Sequence, residues 1–126
     1  MIKKYKVVLV CMDEFVNEIY QEKFKETEID FTAISHTDNS FVDQMAKLMP
    51  DLILMGIIMK DLDGHELTEM LKADSRTKSI RIIGFSNMSQ KEDIEKSLQV
   101  GMEDYWISSN YAPSEFVEKV ESSLKK

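Results

Sequence analysis

Cysteine and histidine are scarce in this chain of 126 residues, and their scarcity excludes several kinds of chemistry. The single cysteine, Cys11, cannot form a disulfide within the chain and has no companions at metal-ligand spacing. Because it ends the apolar run from Val7, Cys11 is predicted to be a small buried side chain rather than a reactive thiol. The two histidines, His36 and His65, are isolated, and both are predicted at the surface. A disulfide framework, a zinc site and a histidine-based catalytic triad are therefore excluded.

Basic residues and long apolar runs are also in short supply. With 16 Lys and Arg against 23 Asp and Glu, the net charge is -7, which opposes direct binding to nucleic acid. No apolar run approaches the roughly 20 residues that cross a bilayer, and the amino terminus leads into a strand rather than a secretory leader. Since neither a linker nor a repeat is present, we expect one cytoplasmic domain over residues 1–126, without a membrane partner.

Short apolar runs alternate with amphipathic segments along the whole chain. This pattern predicts an α/β fold of (βα)5 type, a doubly wound parallel sheet with helices on both faces. The five predicted strands are Lys6–Cys11, Ile29–Ile34, Asp51–Ile57, Ile80–Phe85 and Asp104–Ile107. In such folds, ligands bind beyond the carboxyl ends of the central strands, so the residues that follow the strands are the candidates for function.

Signals for the ends of helices agree with this alternation. Asp63 with Glu66, and Ser89 with Glu92, have the spacing of capping boxes and predict that helices begin there. Pro113 suits the first turn of a last helix.

Four segments at the predicted strand ends carry a resemblance to a known family. They are residues 6–14, which end in Met12-Asp13-Glu14, residues 50–67 around Gly56, residues 82–87 and residues 100–109. Together they resemble the receiver domain of response regulators, the CheY-like domain, over essentially the whole chain. The resemblance implies a flavodoxin-like, CheY-like five-stranded parallel sheet in the order 2-1-3-4-5, and a role in two-component or phosphorelay signal transduction in bacteria.

The resemblance also implies a chemistry for the intact family. An acceptor aspartate takes a phosphoryl group, two acidic residues help to hold Mg²⁺, a lysine neutralises the phosphoryl oxygens, a Ser or Thr binds them, and an aromatic residue reports the change. Carried over to this chain, the matching residues that remain are Asp13 from the acidic pair, Ser86 as the hydroxyl and Tyr105 as the aromatic. The replaced residues are Met12 for the first acid, Gly56 for the acceptor, Lys60 for a loop proline, and Ser108 and Ser109 for Lys-Pro.

These replacements remove the charges on which the family's chemistry depends. Gly56 has no side-chain nucleophile, so an acyl phosphate cannot form there. With two of three acids gone, Asp13 is the only remnant of the metal site. We therefore expect Mg²⁺ binding to be weak or absent, and we expect no cofactor. Replacement of the lysine by Ser108 is consistent with this, because a buried cation without its neighbouring carboxylates would destabilise the fold. We therefore expect a pseudo-receiver that is not an enzyme and has no catalytic residue.

Each retained residue also has a purely structural interpretation. Asp13 precedes a helix and is a good N-cap. Ser86 can satisfy backbone groups in its loop instead of a bound anion. Tyr105 and Trp106 alternate on the last strand, so one is expected to face inward and the other outward. Either can be core packing or an anchor for a partner on the surface that the family forms from its fourth helix, fifth strand and fifth helix.

Several functions fit these residues. The leading prediction is a regulatory module that acts through protein–protein interaction without aspartyl phosphorylation, with a homodimer as one option. A second is phosphotransfer at a displaced carboxylate, Asp13 or Asp61. A third is a small-molecule module of flavodoxin type, which the acidic, bulky loop after the first strand disfavours. A variant of the third is a neutral ligand in the space vacated at Gly56.

Overall fold

Five strands alternate with five α-helices in the computed structural model, which describes residues 2–125. The strands are β1 (Tyr5–Val10), β2 (Ile29–Ile34), β3 (Leu52–Met55), β4 (Arg81–Ser86) and β5 (Asp104–Ile107). The helices are α1 (Glu14–Phe24), α2 (Phe41–Leu48), α3 (Gly64–Ala73), α4 (Lys91–Gln99) and α5 (Pro113–Leu124), and a short 3₁₀ helix, Ser108–Asn110, follows β5. Among residues 2–125, no helix is both long enough and apolar enough to span a membrane.

All neighbouring strands pair in parallel, in the order β2-β1-β3-β4-β5, which confirms the predicted fold class. The register places Val10 beside Met55 and Met55 beside Gly84, so β1, β3 and β4 end at the same edge of the sheet. β3 ends two residues earlier than predicted, at Met55. Gly56 therefore begins the loop instead of lying within the strand.

Apolar side chains cover both faces of the sheet. On one face, α1 and α5 pack a cluster of rings against β1, β3 and β4, and Phe116 stacks on Phe85 with ring centroids 4.5 Å apart. On the other face, α2 and α3 contribute aliphatic residues such as Met45, Leu67 and Leu71. The central strands β1 and β3 are buried on both sides, and their sequences are therefore nearly continuous apolar runs.

The predicted helix starts are correct for α3 and α5 and wrong for α4. At α3, the Asp63 carboxylate accepts from the Glu66 amide at 2.9 Å, and the Glu66 carboxylate accepts from the Asp63 amide at 3.5 Å. Pro113 is the first residue of α5. At α4, however, the backbone stays extended through Gln90, so Ser89 lies one residue before the cap position and makes no capping bond.

His65 is buried, which corrects its predicted surface position. Only 5% of the residue is exposed, because the first turn of α3 faces α4. Its Nε2 lies 2.9 Å from the Ser97 hydroxyl, and that hydroxyl donates to the carbonyl of Asp93 at 2.8 Å. The Ser97 proton is thereby committed, so His65 Nε2 is the donor in the pair.

Cys11 is half-buried, whereas the sequence predicted a buried residue. It follows the last residue of β1 at the edge of the sheet and packs only in part against the core cluster. Burial still raises the pKa of its thiol above the ordinary value. The thiol is therefore mainly protonated near neutral pH, which agrees with the prediction that it is not a reactive nucleophile.

We expect Ser97→Ala to destabilise the domain by about 1–3 kcal/mol, because it leaves the buried His65 Nε2 without a partner. Ser97 is also the one fully buried residue of α4, so this helix has little apolar packing to compensate. Urea unfolding would measure the change. Exposed Ser89→Ala is the matched control and should change stability by less than about 0.5 kcal/mol. Equal stability of the two variants would contradict the role given to the His65–Ser97 bond.

A second prediction concerns the start of α3, where backbone packs directly on backbone. The Gly64 amide donates to the Ile57 carbonyl at 2.8 Å, and a Cβ at Gly64 would overlap the carbonyl of Gly56. We expect Gly64→Ala to cost about 1–3 kcal/mol, as overpacking does elsewhere. Thermal or urea unfolding would measure it. Lys60→Ala, in the same loop and exposed, is the control and should stay within about 0.5 kcal/mol of the parent. If Gly64→Ala changed stability as little as Lys60→Ala, this packing would be refuted.

Candidate functional site

A cleft of about 390 Å³ opens at the carboxyl edge of the sheet. The loops after β1, β3, β4 and β5 form its rim, together with the first turns of α1. Its lining residues are Cys11, Met12, Asp13, Val16, Tyr20, Gly56, Ile57, Ile58, Phe85, Ser86, Asn87, Ser108 and Ser109. The structure thus brings together all five residues predicted for a degenerate pocket, Met12, Asp13, Gly56, Ser86 and Ser108.

Gly56 lies at the bottom of the cleft, in close contact with the end of β1. Its amide donates to the Val10 carbonyl at 2.8 Å, and a Cβ on Gly56 would lie only 2.5 Å from that same oxygen. Real Cβ atoms do not approach a backbone oxygen so closely. Any side chain at position 56 therefore requires the end of β1 or of β3 to move.

Asp13 is the N-cap of α1. Its Oδ1 accepts from the Val16 amide at 3.1 Å, and the side chain is otherwise exposed. Met12, beside it, is 51% exposed. The capping bond is a sufficient structural reason for an aspartate here, because it satisfies one of the free amides at the start of the helix.

Hydroxyl and amide groups from the ends of β4 and β5 form one wall of the cleft. The Ser86 hydroxyl accepts from the Met88 amide at 3.2 Å, as the structural interpretation of this serine requires. The Ser108 hydroxyl donates to Asn87 Oδ1 at 2.5 Å, at the position where the resemblance implies a lysine. This pair joins the two loops by a neutral hydrogen bond instead of an ion pair.

Charge is almost absent from the cleft. Of its lining residues, only Asp13 carries a full charge, since Cys11 and Tyr20 have pKa values raised by burial. Mg²⁺ requires carboxylates and phosphate oxygens and gives up water reluctantly. A single exposed carboxylate that already caps a helix does not fit that ion. Within residues 2–125, no group of three or more His, Cys, Asp or Glu residues is arranged to hold a metal.

Tyr105 packs over Gly84 on the α4 side of the sheet. A Cβ at Gly84 would lie 2.5 Å from the tyrosine ring, so the glycine makes room for it. The hydroxyl donates to the Met88 carbonyl at 2.6 Å, and burial raises the pKa of Tyr105. Tyr105 is thus fixed to the loop after β4, the same loop that Ser86 stabilises.

Trp106 points to the opposite face and is only 5% exposed. Its indole Nε1 donates to Asp104 at 3.2 Å, and the Lys119 ammonium lies 4.9 Å from the ring centroid. The expectation that one of the two aromatics faces outward is wrong, because helices cover both faces of the sheet and each ring packs beneath one of them. Lys119 also lies 5.3 Å from the ring of Tyr111, so this lysine covers both rings of the α5 side.

Sequence reasoning missed the apolar floor of the cleft. Tyr20 and Phe85 line it, with ring centroids 6.0 Å apart. The i, i+4 spacing of Val16 and Tyr20 indicates that they share one face of α1. It could not indicate that the first turns of this face extend past the end of β1, into the cleft.

Comparison with known proteins agrees with this geometry. The response regulator receiver domain family matches residues 7–121. The response regulator protein VraR of Staphylococcus saprophyticus is 26% identical over 87 residues, which are 69% of this chain and 41% of VraR. The polar-differentiation response regulator DivK of Brucella ovis is 37% identical over 75 residues, 60% of each chain. The chain thus spans less than two thirds of these relatives.

The fold also recurs among solved structures. A putative response regulator from Chloroflexus aurantiacus superposes with a TM-score of 0.82 at 18% identity, covering 98% of this chain and 100% of the other. At that identity the likeness concerns the fold alone. The family match over most of the chain goes further, and it assigns the protein: this chain belongs to the response regulator receiver domain family.

Proposed function

We propose that this receiver domain of two-component signalling is not phosphorylated on aspartate and acts through contact with a protein partner. The observation that carries the proposal is the backbone at Gly56. The acceptor position has no nucleophile, and any side chain there would require the end of β1 or of β3 to move away from the Val10 carbonyl contact. Receiver domains are in general signalling modules rather than enzymes, so loss of the phosphoryl input does not by itself remove the function.

The surroundings of Gly56 support the proposal. Phosphoryl oxygens in a protein need cations or several strong donors around them, and each charge-assisted contact contributes about 1.5–3 kcal/mol. The cleft lining contains no lysine or arginine, and Ser108 is engaged with Asn87. A phosphoryl group placed there would face the Asp13 carboxylate without compensation.

The two displaced carboxylates are poor substitutes for an acceptor. Asp13 is engaged as a helix cap by the Val16 amide. Asp61 is exposed in the loop after β3 and does not line the cleft. Among the described residues, neither carboxylate forms a salt bridge with a lysine or arginine, the kind of contact that phosphotransfer requires. The family assignment and the acidic loop after β1 likewise favour a receiver over a flavodoxin-type module.

For the partner we propose the surface formed by α4, β5 and α5, including a homodimer as one form. Two features favour it. α4 is polar and leaves Leu98 47% exposed, although leucine in a helix of this kind usually packs inward. Tyr105 and Trp106 supply rigid aromatic packing directly beneath the surface, on the α4 and α5 sides of β5.

The first test is incubation of the purified chain with Mg²⁺ and acetyl phosphate, followed by intact-mass measurement. We expect no added phosphoryl group, because the cleft offers neither acceptor nor cation. An increase of one phosphoryl group on any acidic residue would overturn the proposal, and Asp13→Asn and Asp61→Asn would then identify the acceptor. An NMR titration in parallel should show no saturable shift of residues 11–13 at millimolar Mg²⁺.

Gly56→Asp sharpens this test. We expect the single variant to be less stable by about 1–3 kcal/mol, since its Cβ meets the Val10 carbonyl, and to remain unphosphorylated. Adding Met12→Asp and Ser108→Lys restores the other charges and is the positive control. Efficient phosphorylation of the single variant would mean that Gly56 alone prevents phosphorylation and that Met12 and Ser108 do not contribute.

The second test concerns the partner surface. We expect Leu98→Glu to weaken partner or homodimer binding at least tenfold, because it places a charge at the exposed apolar position of α4. Sedimentation would measure self-association, and co-purification with mass spectrometry would identify another partner. Met49→Glu is the matched control, since Met49 is 50% exposed at the end of α2. Equal loss of binding in both variants would remove the assignment to this surface.

A further inference from the structure

The cleft at the carboxyl edge has the dimensions of a small-molecule site. Its volume of about 390 Å³ lies in the lower part of the range of roughly 300–1,000 Å³ that such sites occupy. The floor is built from buried residues that the core already holds in place, Tyr20, Gly56, Ile57 and Phe85. The space is thus present without any ligand, and its floor belongs to the packed core.

Tyr20 presents an unpartnered polar group at this floor. The residue is only 8% exposed, and its ring packs against Phe116 with centroids 4.6 Å apart. Among residues 2–125, no group makes a hydrogen bond with the Tyr20 hydroxyl. The Tyr20 oxygen is not one of the fully buried polar atoms that lack a partner, so it is open to the cleft. A molecule in the cleft can therefore hydrogen-bond to it.

The two walls differ in polarity. Cys11, Val16 and Ile57 give the β1 and β3 side an apolar surface, whereas β4 and β5 contribute the hydroxyls and the amide described above. Ser109 is exposed there, and its hydroxyl has no hydrogen bond among the described residues. A ligand with an apolar body and one or two hydrogen-bonding groups would satisfy both walls.

The charges select against ions. An anion would meet the Asp13 carboxylate and find no lysine or arginine in the lining. A cation would have to leave water for a single carboxylate that is exposed and already bonded to the Val16 amide. Removing an ion from water without a well-placed counter-charge is costly. Uncharged molecules avoid that cost.

We propose that this cleft binds an uncharged, mainly apolar small molecule that hydrogen-bonds to the Tyr20 hydroxyl. Such a ligand would contact the ends of β1, β3, β4 and β5 at once, where the family binds its phosphoryl group. Binding requires only the shape and lining of the cleft, so it goes beyond the proposed loss of phosphorylation and can be tested separately.

Three matched probes with the same naphthalene body test the charge preference: 2-naphthol is uncharged, 2-naphthoate is an anion and 2-naphthylmethylammonium is a cation. Indole and 4-phenylphenol extend the uncharged set. Two readouts are used, the shift in melting temperature and the rate at which iodoacetamide alkylates Cys11. Because Cys11 is the single cysteine and lines the cleft, its protection reports occupancy of this site.

We expect at least one uncharged probe to raise the melting temperature and to slow the alkylation of Cys11 at least fivefold. The two ions should bind at least tenfold more weakly than 2-naphthol. Tyr20→Phe keeps the ring and removes the hydroxyl, so affinity should fall about three- to tenfold, the effect of one hydrogen bond. Ser109→Trp should block the cleft, whereas Ser122→Trp, exposed on α5 and outside the lining, should bind like the parent.

Failure of all three uncharged probes to protect Cys11 at millimolar concentration would overturn the proposal. So would equal binding of 2-naphthoate, or binding that Ser109→Trp leaves unchanged. Circular dichroism and the melting temperature without probe show whether each variant is folded. Phosphorylation by acetyl phosphate would refute the proposed function and would leave these binding results standing, so the two failures are distinguishable.

Discussion

The structure depends on a chain of backbone contacts at the carboxyl edge of the sheet. The Gly56 amide binds the Val10 carbonyl, and Gly64 packs on the carbonyl of Gly56. These contacts fix the end of β3 to the end of β1 and to the first turn of α3. Main-chain atoms make both contacts. The ends of β1 and β3 and the start of α3 therefore lie closer together than they would with side chains between them. The cleft takes its shape from this separation.

Most of the fold could be predicted from sequence because it depends on local patterns. Alternating apolar and amphipathic segments indicate the strands and helices, and Asp63 and Pro113 mark two helix starts correctly. The gathering of Met12, Gly56 and Ser108 follows from one rule, that parallel strands in such a sheet end at a common edge. No distance between elements is needed for any of these inferences.

The remaining features depend on distances between elements and were therefore missed. His65 is buried because α3 faces α4 at that point, and an isolated histidine gives no sign of such a neighbour. Tyr20 reaches the cleft because α1 extends past the end of β1. Trp106 is covered because α5 lies over it. The closeness of Gly56 to Val10 is likewise a property of the packed sheet and not of either segment alone.

The contact at Gly56 has a consequence for the substitutions that this chain tolerates. An aspartate at position 56 would destabilise the fold before it could contribute any chemistry, since its Cβ would lie 2.5 Å from the Val10 carbonyl oxygen. Natural domains have only a few kcal/mol of stability in reserve, so such a variant would be selected against. The close approach of β1 to β3 therefore constrains sequence drift: residues elsewhere in the lining of the cleft can change more readily than Gly56 can acquire a side chain.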